Sequence, residues 1–513
     1  MSSDDAPRND WSRRTFVKSA AAALAVTAGE RLIAAQPAGK APAPTAAPAA
    51  ELTRMTLRQA SEAIRARRVS SLELTDACLR RIDTYQRGVN AFITVAHERA
   101  RAQARAMDAE LRAGKSRGPL HGVPIALKDN VDTAGIPTTA ASALFADRIP
   151  AEDAEVTRRL LAAGAVILGK TNLDEFAAGG TTTSTYYGPA HNPWRADRVT
   201  GGSSGGSGAA VAAELCFGAI GTDTGGSIRI PSAWCGIVGL KPTYGRVSNR
   251  GVIPYIPTRD HVGPMARTVE DAALLLQVIA GYDAADLTSE DQPVPDYVAG
   301  MQAAVAPLRI GVARASHFDK LDPEIAAAVE AAIGVLRKLT AGVRDVALPA
   351  VNAVPNVVIC EAYAYHQKWL SRTPQLYQPT ARRRIEAGAK ILASEYVVDL
   401  QEHARARHEI RAVFRDVDLL VTPTMKIPAR TLTEAIARQE AEKPLPPEPG
   451  NTAAFNVFRI PTISIPCGFT KLGLPIGLQI SGPHFQEGRV LALARAYEQA
   501  TPWHTRRPEP PRG

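Results

Sequence analysis

Short apolar runs, separated by glycine and proline, recur along the chain after Gly118. Seven of them occupy residues 123–127, 165–168, 216–220, 308–312, 419–421, 462–465 and 476–480. Most show no alternation of apolar and polar positions, which is typical of strands that are buried on both faces. The pattern therefore predicts a set of buried strands.

Helical periodicity occupies the segments before and between these runs. Through residues 51–111, apolar side chains recur on one face and Ser70 with Glu73 forms a capping-box pattern, which predicts three helices. Further helices are predicted at residues 268–281, capped by Thr268 with Asp271 three residues on, and at residues 322–339, with Pro323 at the first helical position and Gly342 just beyond the end. Strands that alternate with helices predict an α/β fold: a single large domain with a mixed, mostly buried central sheet surrounded by helices.

The N-terminus carries two adjacent arginines, Arg13 and Arg14, before an apolar stretch at residues 19–28. This order resembles a twin-arginine export signal, and the alternative is a basic tail without a sorting function. The stretch is much shorter than the roughly 20 residues that a membrane span needs, so no membrane anchor is expected after signal removal. The predicted location is the periplasm or the exterior of the cell.

Composition separates this N-terminal segment from the rest of the chain. Residues 36–50 alternate proline with alanine and offer little that could be buried, which is typical of a solvated linker. We therefore predict a signal peptide at residues 1–28, a linker at 29–50 and one folded domain at 51–513.

The overall composition excludes several classes of protein. With 513 residues, 45% hydrophobic and 22% charged, the chain has globular proportions, so fibrous and mostly disordered proteins are excluded. The net charge is +9, but the arginines are scattered and no basic run is interleaved with aromatics, so no nucleic-acid partner is expected. The five cysteines are widely spaced without a CxxC pair, and neither a disulfide framework nor a metal site is predicted.

Two short motifs match the letters of known sites without their context. Residues 164–171 match the phosphate-binding loop GxxxxGK[ST], but a strand-forming Ala-Val-Ile-Leu run takes the place of the loop. Residues 201–205 match the G-x-S-x-G nucleophile elbow, which requires a preceding strand, whereas residues 192–198 are polar and contain proline. No histidine, His121 and His261 included, stands in a segment that suggests a serine–histidine pair.

The span from residue 200 to residue 242 holds two glycine-rich serine clusters, around Ser203 and Ser227. An alanine-rich helical stretch and the apolar run at 216–220 lie between them, which a flexible linker would not contain. Glycine-lined serines that an intervening helix and strand bring together suggest backbone N–H groups arranged around an anion.

These segments resemble the amidase signature family. The likeness is carried by residues 122–130, 222–231, 239–242, 263–267, 422–424 and 473–479, and it extends from Leu52 to the C-terminus. It implies a hydrolase acting on carbon–nitrogen bonds, with a small-molecule amide as substrate and neither a metal nor an organic cofactor.

The resemblance also implies a role for individual residues. Ser227 matches the nucleophile, Ser203 matches the serine that follows a cis peptide bond and relays the proton, and Lys128 matches the base. The implied oxyanion hole consists of the backbone N–H groups of Thr224, Gly225, Gly226 and Ser227. Supporting positions are matched by Ser204, Asp223 and Arg229.

A neutral lysine as base is reasonable on physical grounds. A serine hydroxyl is a weak nucleophile unless a base takes its proton, and no histidine is placed for that purpose. Lys128 follows a buried apolar segment, where desolvation disfavours its charged form. The alternative for Lys128 is a simple ion pair with Asp129.

We therefore expect an exported amidase. One alternative is the related subunit of the tRNA-dependent amidotransferase, which works in a complex in the cytoplasm and against which the export signal argues. The other is an exported binding protein with an inactive site, against which the intact Lys128, Ser203 and Ser227 argue. Aliphatic, aryl and peptide amides and carbamates all stay open as substrates, and a homodimer is one expected oligomeric state.

Two features are left open by the sequence. The aromatic residues Tyr186, Tyr187 and Trp194 fit either a pocket lining or a packed core. Arg459 fits either the pocket or the solvent-exposed surface.

Overall fold

The computed structural model of the protein describes residues 49–352, 357–441 and 450–512. The predicted signal peptide at residues 1–28 lies outside these residues, as do residues 29–48 of the predicted linker. The first described helix begins at Ala49, two residues before the predicted start of the folded domain. No helix within the described ranges is both long and apolar enough to cross a membrane.

A mixed sheet of eleven strands forms the centre of the structure, which confirms the predicted fold class. The strands are β1 (Phe92–Val95), β2 (Pro124–Lys128), β3 (Val166–Thr171), β4 (His191–Asn192), β5 (Arg195–Val199), β6 (Gly218–Asp223), β7 (Val238–Lys241), β8 (His261–Ala266), β9 (Arg309–Val312), β10 (Gly342–Asp345), β11 (Leu419–Pro423), β12 (Thr462–Phe469) and β13 (Pro475–Ser481). The central order is β1-β3-β2-β6-β8-β7-β12-β13-β11-β9-β10, while β4 and β5 pair separately. Pairs β2/β3, β2/β6, β9/β10 and β9/β11 are parallel, and the others are antiparallel.

Helices of several lengths surround this sheet. They are α1 (Ala49–Arg54), α2 (Leu57–Arg65), α3 (Ser71–Val89), α4 (His97–Arg112), α5 (Glu155–Ala162), α6 (Gly205–Ala212), α7 (Arg229–Cys235), α8 (Val269–Ile279), α9 (Tyr297–Gly300), α10 (Arg314–His317), α11 (Pro323–Leu339), α12 (Ile359–Leu370), α13 (Pro379–Ala387), α14 (Ala393–Asp416), α15 (Leu432–Glu440), α16 (Ala453–Val457) and α17 (Glu487–Ala500). Single 3₁₀ turns lie at Ala143–Phe145, Glu175–Ala177, Pro374–Leu376, Gly388–Lys390 and Trp503–Thr505.

All seven apolar runs that predicted strands belong to the central sheet, as β2, β3, β6, β9, β11, β12 and β13. Every residue of β2, β3, β6, β11 and β13 is buried, as expected for strands covered on both faces. Helix caps are confirmed as well. Ser70 and Glu73 form a complete capping box, and Thr268 caps α8 through the N–H of Asp271.

Other elements differ from the predictions. Residues 51–111 contain the expected helices α2, α3 and α4, but also the short α1 and strand β1, which pairs antiparallel with β3. The polar segment before residues 201–205 is not a loop throughout, because Arg195–Val199 forms β5. Strand β1 has only four residues, one of them the polar Thr94, and β5 carries the charged Arg195, Asp197 and Arg198, so neither shows a long apolar run.

The sheet brings two functional segments to one edge. Strands β2 and β6 are parallel neighbours, so their carboxyl ends, Lys128 and Asp223, lie at the same edge of the sheet. Helix α6 begins directly after Ser203 and Ser204 and packs against both β2 and β6. The lysine and both serine clusters therefore converge on this edge.

The burial of β13 can be tested with a pair of isoleucines. Ile480 is fully buried between Val421 and Ile463 of the neighbouring strands, whereas Ile149 is 60% exposed. Ile480→Ala should lower the free energy of unfolding by about 2–5 kcal/mol, because the core cannot close the cavity. Urea titration measures this loss as a lower midpoint at unchanged slope. Ile149→Ala is the control, and equal midpoints for the two variants would contradict the central position of β13.

Candidate active site

Lys128 is a fully buried amine at the end of β2. Its Nζ lies 2.7 Å from Ser203 Oγ and 2.7 Å from Thr222 Oγ1. Burial lowers the pKa of Lys128 to about 7, because the charged form loses its hydration. Three carboxylates oppose this shift of the Lys128 pKa: Asp174, Asp223 and Asp260. The amine therefore faces hydroxyl groups in a site where its neutral form is accessible near neutral pH.

Asp129, which the sequence offered as an ion-pair partner of Lys128, pairs with Lys170 instead. Asp129 Oδ1 lies 3.6 Å from Nζ of the buried Lys170 in β3, and Asp129 Oδ2 accepts hydrogen bonds from the N–H and the hydroxyl of Thr139. Lys170 also donates to the Val131 carbonyl at 2.5 Å. Most of the segment that matches the phosphate-binding loop, Val166–Thr171, is therefore the buried strand β3, and Lys170 holds the segment after Lys128.

Ser203 and Ser227 lie on two loops that touch each other. The peptide bond between Gly202 and Ser203 is cis. The N–H of Ser204 donates to the Ser227 carbonyl at 3.2 Å, and the Ser204 hydroxyl donates to the Thr222 carbonyl at 3.0 Å. Ser204 thus joins both serine loops to the end of β6. The structure brings the lysine and both serines of the predicted site together.

The loop predicted as the oxyanion hole is shaped by the Asp223 side chain. Its Oδ1 accepts the N–H of Gly226 at 2.8 Å, and its Oδ2 accepts the N–H of Ile228 at 3.1 Å. Gly226 has φ +133°, and a Cβ there would lie 2.2 Å from Thr452 Oγ1. Only glycine fits this position, for both conformational and steric reasons.

Two threonine hydroxyls hold the loop from the outside. Thr224 Oγ1 donates to Asp260 Oδ1 at 2.5 Å, and Thr452 Oγ1 donates to the Gly225 carbonyl at 2.7 Å. Because the Gly225 carbonyl accepts this hydrogen bond from Thr452, the neighbouring peptide groups are held in place without a bound ligand.

Arg229 completes the support of Asp223. The two side chains are fully buried and form a bidentate pair, with both nitrogen–oxygen distances at 3.0 Å. Burial alone would raise the pKa of the Asp223 carboxyl, but the Arg229 guanidinium holds it well below its usual range. The remaining hydrogen bonds of Arg229 go to the Thr452 carbonyl and to the side chains of Gln479 and Asn456. Asp223 and Arg229 thus hold the Ser227 loop against α16 and β13 through hydrogen bonds, and their supporting role in the reaction stays a prediction.

Several polar residues of the site were missed by the sequence reasoning. Thr222 contacts Lys128, and Asn456 donates to both the carbonyl and the carboxylate of Asp223. Asn456 is fully buried between Phe455 and Val457 in α16. A polar side chain enclosed in an apolar segment is a usable signal, since burial of an amide requires hydrogen-bond partners.

The aromatic residues Tyr186, Tyr187 and Trp194 lie in two different environments. Trp194 packs its ring 4.9 Å from that of Phe469 and donates from Nε1 to the Cys235 carbonyl at 2.8 Å. Trp194 is therefore part of a packed region. Tyr186 is 54% exposed, and its ring meets that of Tyr187 edge to face.

Arg459 has a structural contact with the loop before β8. Its guanidinium lies 4.0 Å from the centre of the Tyr244 ring and donates to the Thr258 carbonyl at 3.0 Å. Thr258 lies two residues before Asp260, which accepts the hydroxyl of Thr224. Arg459 is half-buried and supports this loop from the side of Tyr244.

Neither histidine considered above is bonded to a serine of the site. His261 is buried with Nδ1 next to the carbonyls of Arg259 and Asp223, and His121 contacts the Met107 carbonyl. Burial lowers the pKa of His261 well below its ordinary value. These contacts give no support to a serine–histidine arrangement.

The chemistry of the described residues does not point to a metal. All five cysteines are free thiols, and no group of three or more His, Cys, Asp or Glu side chains within the described ranges could hold a metal ion. The polar groups of the site are instead hydroxyls, an amine and backbone N–H groups, which suit acyl transfer.

Comparisons with known proteins agree with this chemistry. The family model described as Amidase matches residues 73–491. The chain is 43% identical over 487 residues to a glutamyl-tRNA(Gln) amidotransferase subunit of Azotobacter vinelandii, over 89% of this chain and 99% of that protein. It is 42% identical over 469 residues to an amidase of Pseudomonas putida, over 89% of this chain and 98% of that protein.

A solved structure shows the same architecture. The native peptide amidase from Stenotrophomonas maltophilia superimposes with a TM-score of 0.79 and 31% identity, over 89% of this chain and 98% of that one. Since the family model spans most of the chain and this fold is shared, the protein belongs to the amidase signature family, whose enzymes hydrolyse carbon–nitrogen bonds.

Proposed function

We propose that the protein is an exported amidase that converts a carboxylic amide to a carboxylate and ammonia or an amine through a seryl acyl-enzyme. The observation that carries this proposal is the buried Lys128 amine, 2.7 Å from Ser203 Oγ. A buried lysine whose hydrogen bonds go to hydroxyls instead of a carboxylate is costly to maintain, which favours a chemical use for it.

The reaction begins with Ser227. Its hydroxyl attacks the amide carbonyl while its proton passes through Ser203 to neutral Lys128. We assign binding of the resulting oxyanion to the backbone N–H groups of Thr224, Gly225 and Ser227, because that of Gly226 already donates to Asp223. The loop is held in place before the charge develops, so little reorganisation is required.

The second half of the reaction returns the proton. Lys128, now an ammonium, gives its proton through Ser203 to the departing nitrogen, and the carbon–nitrogen bond breaks. The acyl group remains as an ester on Ser227. Water then attacks this ester with the same two groups as base, the carboxylate leaves, and the Ser227 hydroxyl is restored.

A cytoplasmic transferase is the second candidate. The identity of 43% to an amidotransferase subunit is as high as the identity of 42% to an amidase, so overall similarity does not separate the two functions. The pair Arg13 and Arg14 before an apolar stretch favours export, and an exported protein would not meet aminoacyl-tRNA. Turnover of a simple amide by the purified chain alone would separate the amidase from the transferase.

Hydrolysis should be measured on purified protein across aliphatic, aryl and peptide amides and carbamates. We expect one class to be hydrolysed by the chain alone, Ser227→Ala to abolish turnover and Ser203→Ala to reduce it severely. Ser481→Ala is a matched control, because Ser481 is buried with an unbonded hydroxyl in β13 and should retain activity. Turnover by Ser227→Ala with loss in Ser203→Ala would instead make Ser203 the nucleophile.

The role of Lys128 predicts a pH profile. Since burial lowers the Lys128 pKa to about 7, kcat/KM should rise as the pH rises through that value, because the protonated amine cannot accept a proton. Lys128→Ala should lower kcat by about 10²–10⁴. Lys128→Arg should not restore it, because arginine stays protonated.

The matched control is Lys115→Ala, which removes an exposed amine and should leave the profile unchanged. A Lys128→Arg enzyme with near-normal kcat would mean that a positive charge is sufficient, and the proposed proton path would be wrong.

Export can be measured separately from catalysis. Residues 1–35 fused to a reporter that crosses the membrane folded should reach the periplasm, and the double change Arg13→Lys and Arg14→Lys should retain the reporter inside. Arg8→Lys lies outside the pair and should leave transport unchanged. Transport of the double variant at the wild-type level would reject the signal.

A further inference from the structure

Asp174 is a fully buried carboxylate with four backbone partners. Its Oδ2 accepts the N–H groups of Thr181 and Thr182 at 3.1 and 2.9 Å, and its Oδ1 accepts those of Thr183 and Ser184 at 3.2 and 3.3 Å. An ionised carboxylate accepts hydrogen bonds at both oxygens, whereas a protonated carboxyl group would place its O–H donor next to one of these N–H donors. Burial raises the pKa of the Asp174 carboxyl, and the N–H donors of this loop oppose that shift by stabilising the ionised form.

The same side chain lies against the peptide that carries Ser203. A Cβ at Gly202 would be 2.4 Å from Asp174 Oδ2, so the carboxylate and the Gly202 backbone are in direct contact. The N–H of Asp174 also donates to the Ser203 carbonyl at 3.3 Å. Asp174 thus contacts the Gly202–Ser203 segment with both its backbone and its side chain.

Thr182 extends this contact from the loop that Asp174 holds. Its hydroxyl lies 3.0 Å from the Gly201 carbonyl and 3.3 Å from the Ser203 carbonyl, and it accepts the N–H of Gly205 at 3.1 Å. Thr182 therefore contacts the backbone before Ser203, at Gly201, and after it, at Gly205. Any movement of this loop would change the position of the Ser203 hydroxyl relative to Lys128.

The charge of Asp174 acts on Lys128 as well. Burial lowers the pKa of Lys128, and the carboxylates that oppose this shift come from the segment after β3, the end of β6 and the segment before β8: Asp174, Asp223 and Asp260. Asp223 is already paired with Arg229, and Asp260 accepts the Thr224 hydroxyl. Burial has the larger effect on the pKa of Asp174 and raises it, and the Arg384 guanidinium of α13 acts against that shift by lowering the pKa.

We propose that Asp174 is a positioning residue of this site: its carboxylate holds the loop at 181–184 against the Gly202–Ser203 peptide and supplies Lys128 with a fixed negative charge. This inference rests on the proposed serine hydrolase chemistry. It assigns two separable effects to one side chain, a geometric effect on Ser203 and an electrostatic effect on the protonation of Lys128.

The test uses a readout that needs no known substrate. A fluorophosphonate probe labels an activated serine, so its rate of reaction with Ser227 can be followed against pH in the full-length protein. Asp174→Asn should slow labelling at the optimal pH by about 10–100-fold, because a displaced Ser203 relays the proton poorly. The substitution should also move the acidic limb of the profile of labelling rate against pH to lower pH, because loss of the negative charge disfavours the Lys128 ammonium.

Two matched variants separate the effects. Thr182→Val is nearly isosteric and keeps the Asp174 charge, so it should slow labelling without moving the limb. Glu175→Gln is the control at the next buried acid, which accepts the N–H of Gln378 and whose pKa burial raises to about 7, so it should change neither the labelling rate nor the acidic limb.

The outcomes distinguish this inference from the proposed function. An acidic limb that stays in place in folded Asp174→Asn overturns the electrostatic role, and a wild-type rate in Thr182→Val overturns the geometric role even if Asp174→Asn does not fold. If wild type and Ser227→Ala are labelled equally, the proposed function itself fails.

Discussion

The buried pair of Asp223 and Arg229 is the interaction on which the candidate site depends. Asp223 binds two N–H groups of the loop that carries Ser227, and Arg229 neutralises its charge while bonding to α16 and β13. Removing one member would leave a buried charge without a partner, which costs about 3–5 kcal/mol. The shape of the loop is therefore coupled to the central sheet rather than to local sequence alone.

The two buried lysines at the same sheet edge show how surroundings decide chemistry. Lys170 lies 3.6 Å from an Asp129 oxygen, and its pKa is lowered to about 8. Lys128 contacts hydroxyls instead, and its pKa is lowered to about 7. Burial is the main cause of both shifts, so the two lysines differ in their partners and not in their burial. Lys170 is held beside a carboxylate, whereas the Lys128 amine faces hydroxyl groups with which it can exchange a proton.

The strands that could be predicted share a physical property. Runs such as those that became β11 and β13 are covered on both faces, so continuous apolar sequence was sufficient to identify them. Strand β8 is equally buried, but its sequence begins with His261 and is interrupted by glycine and proline, and β7 has only four residues, of which the last is Lys241, so neither presents a long apolar run. The buried Lys241 amine instead donates to the distant Ile460 carbonyl at 2.7 Å.

Local sequence determined the α/β class, the family and the candidate residues Lys128, Ser203 and Ser227, because strand patterns and short glycine–serine motifs are contiguous in the chain. Only the tertiary structure decided their supports. Arg229 meets Gln479, which is 250 positions away, and Arg459 meets Thr258, which is 201 positions away. Such contacts depend on the order in which strands pair across the sheet. That order follows from the packing of the whole core, and no local periodicity encodes it.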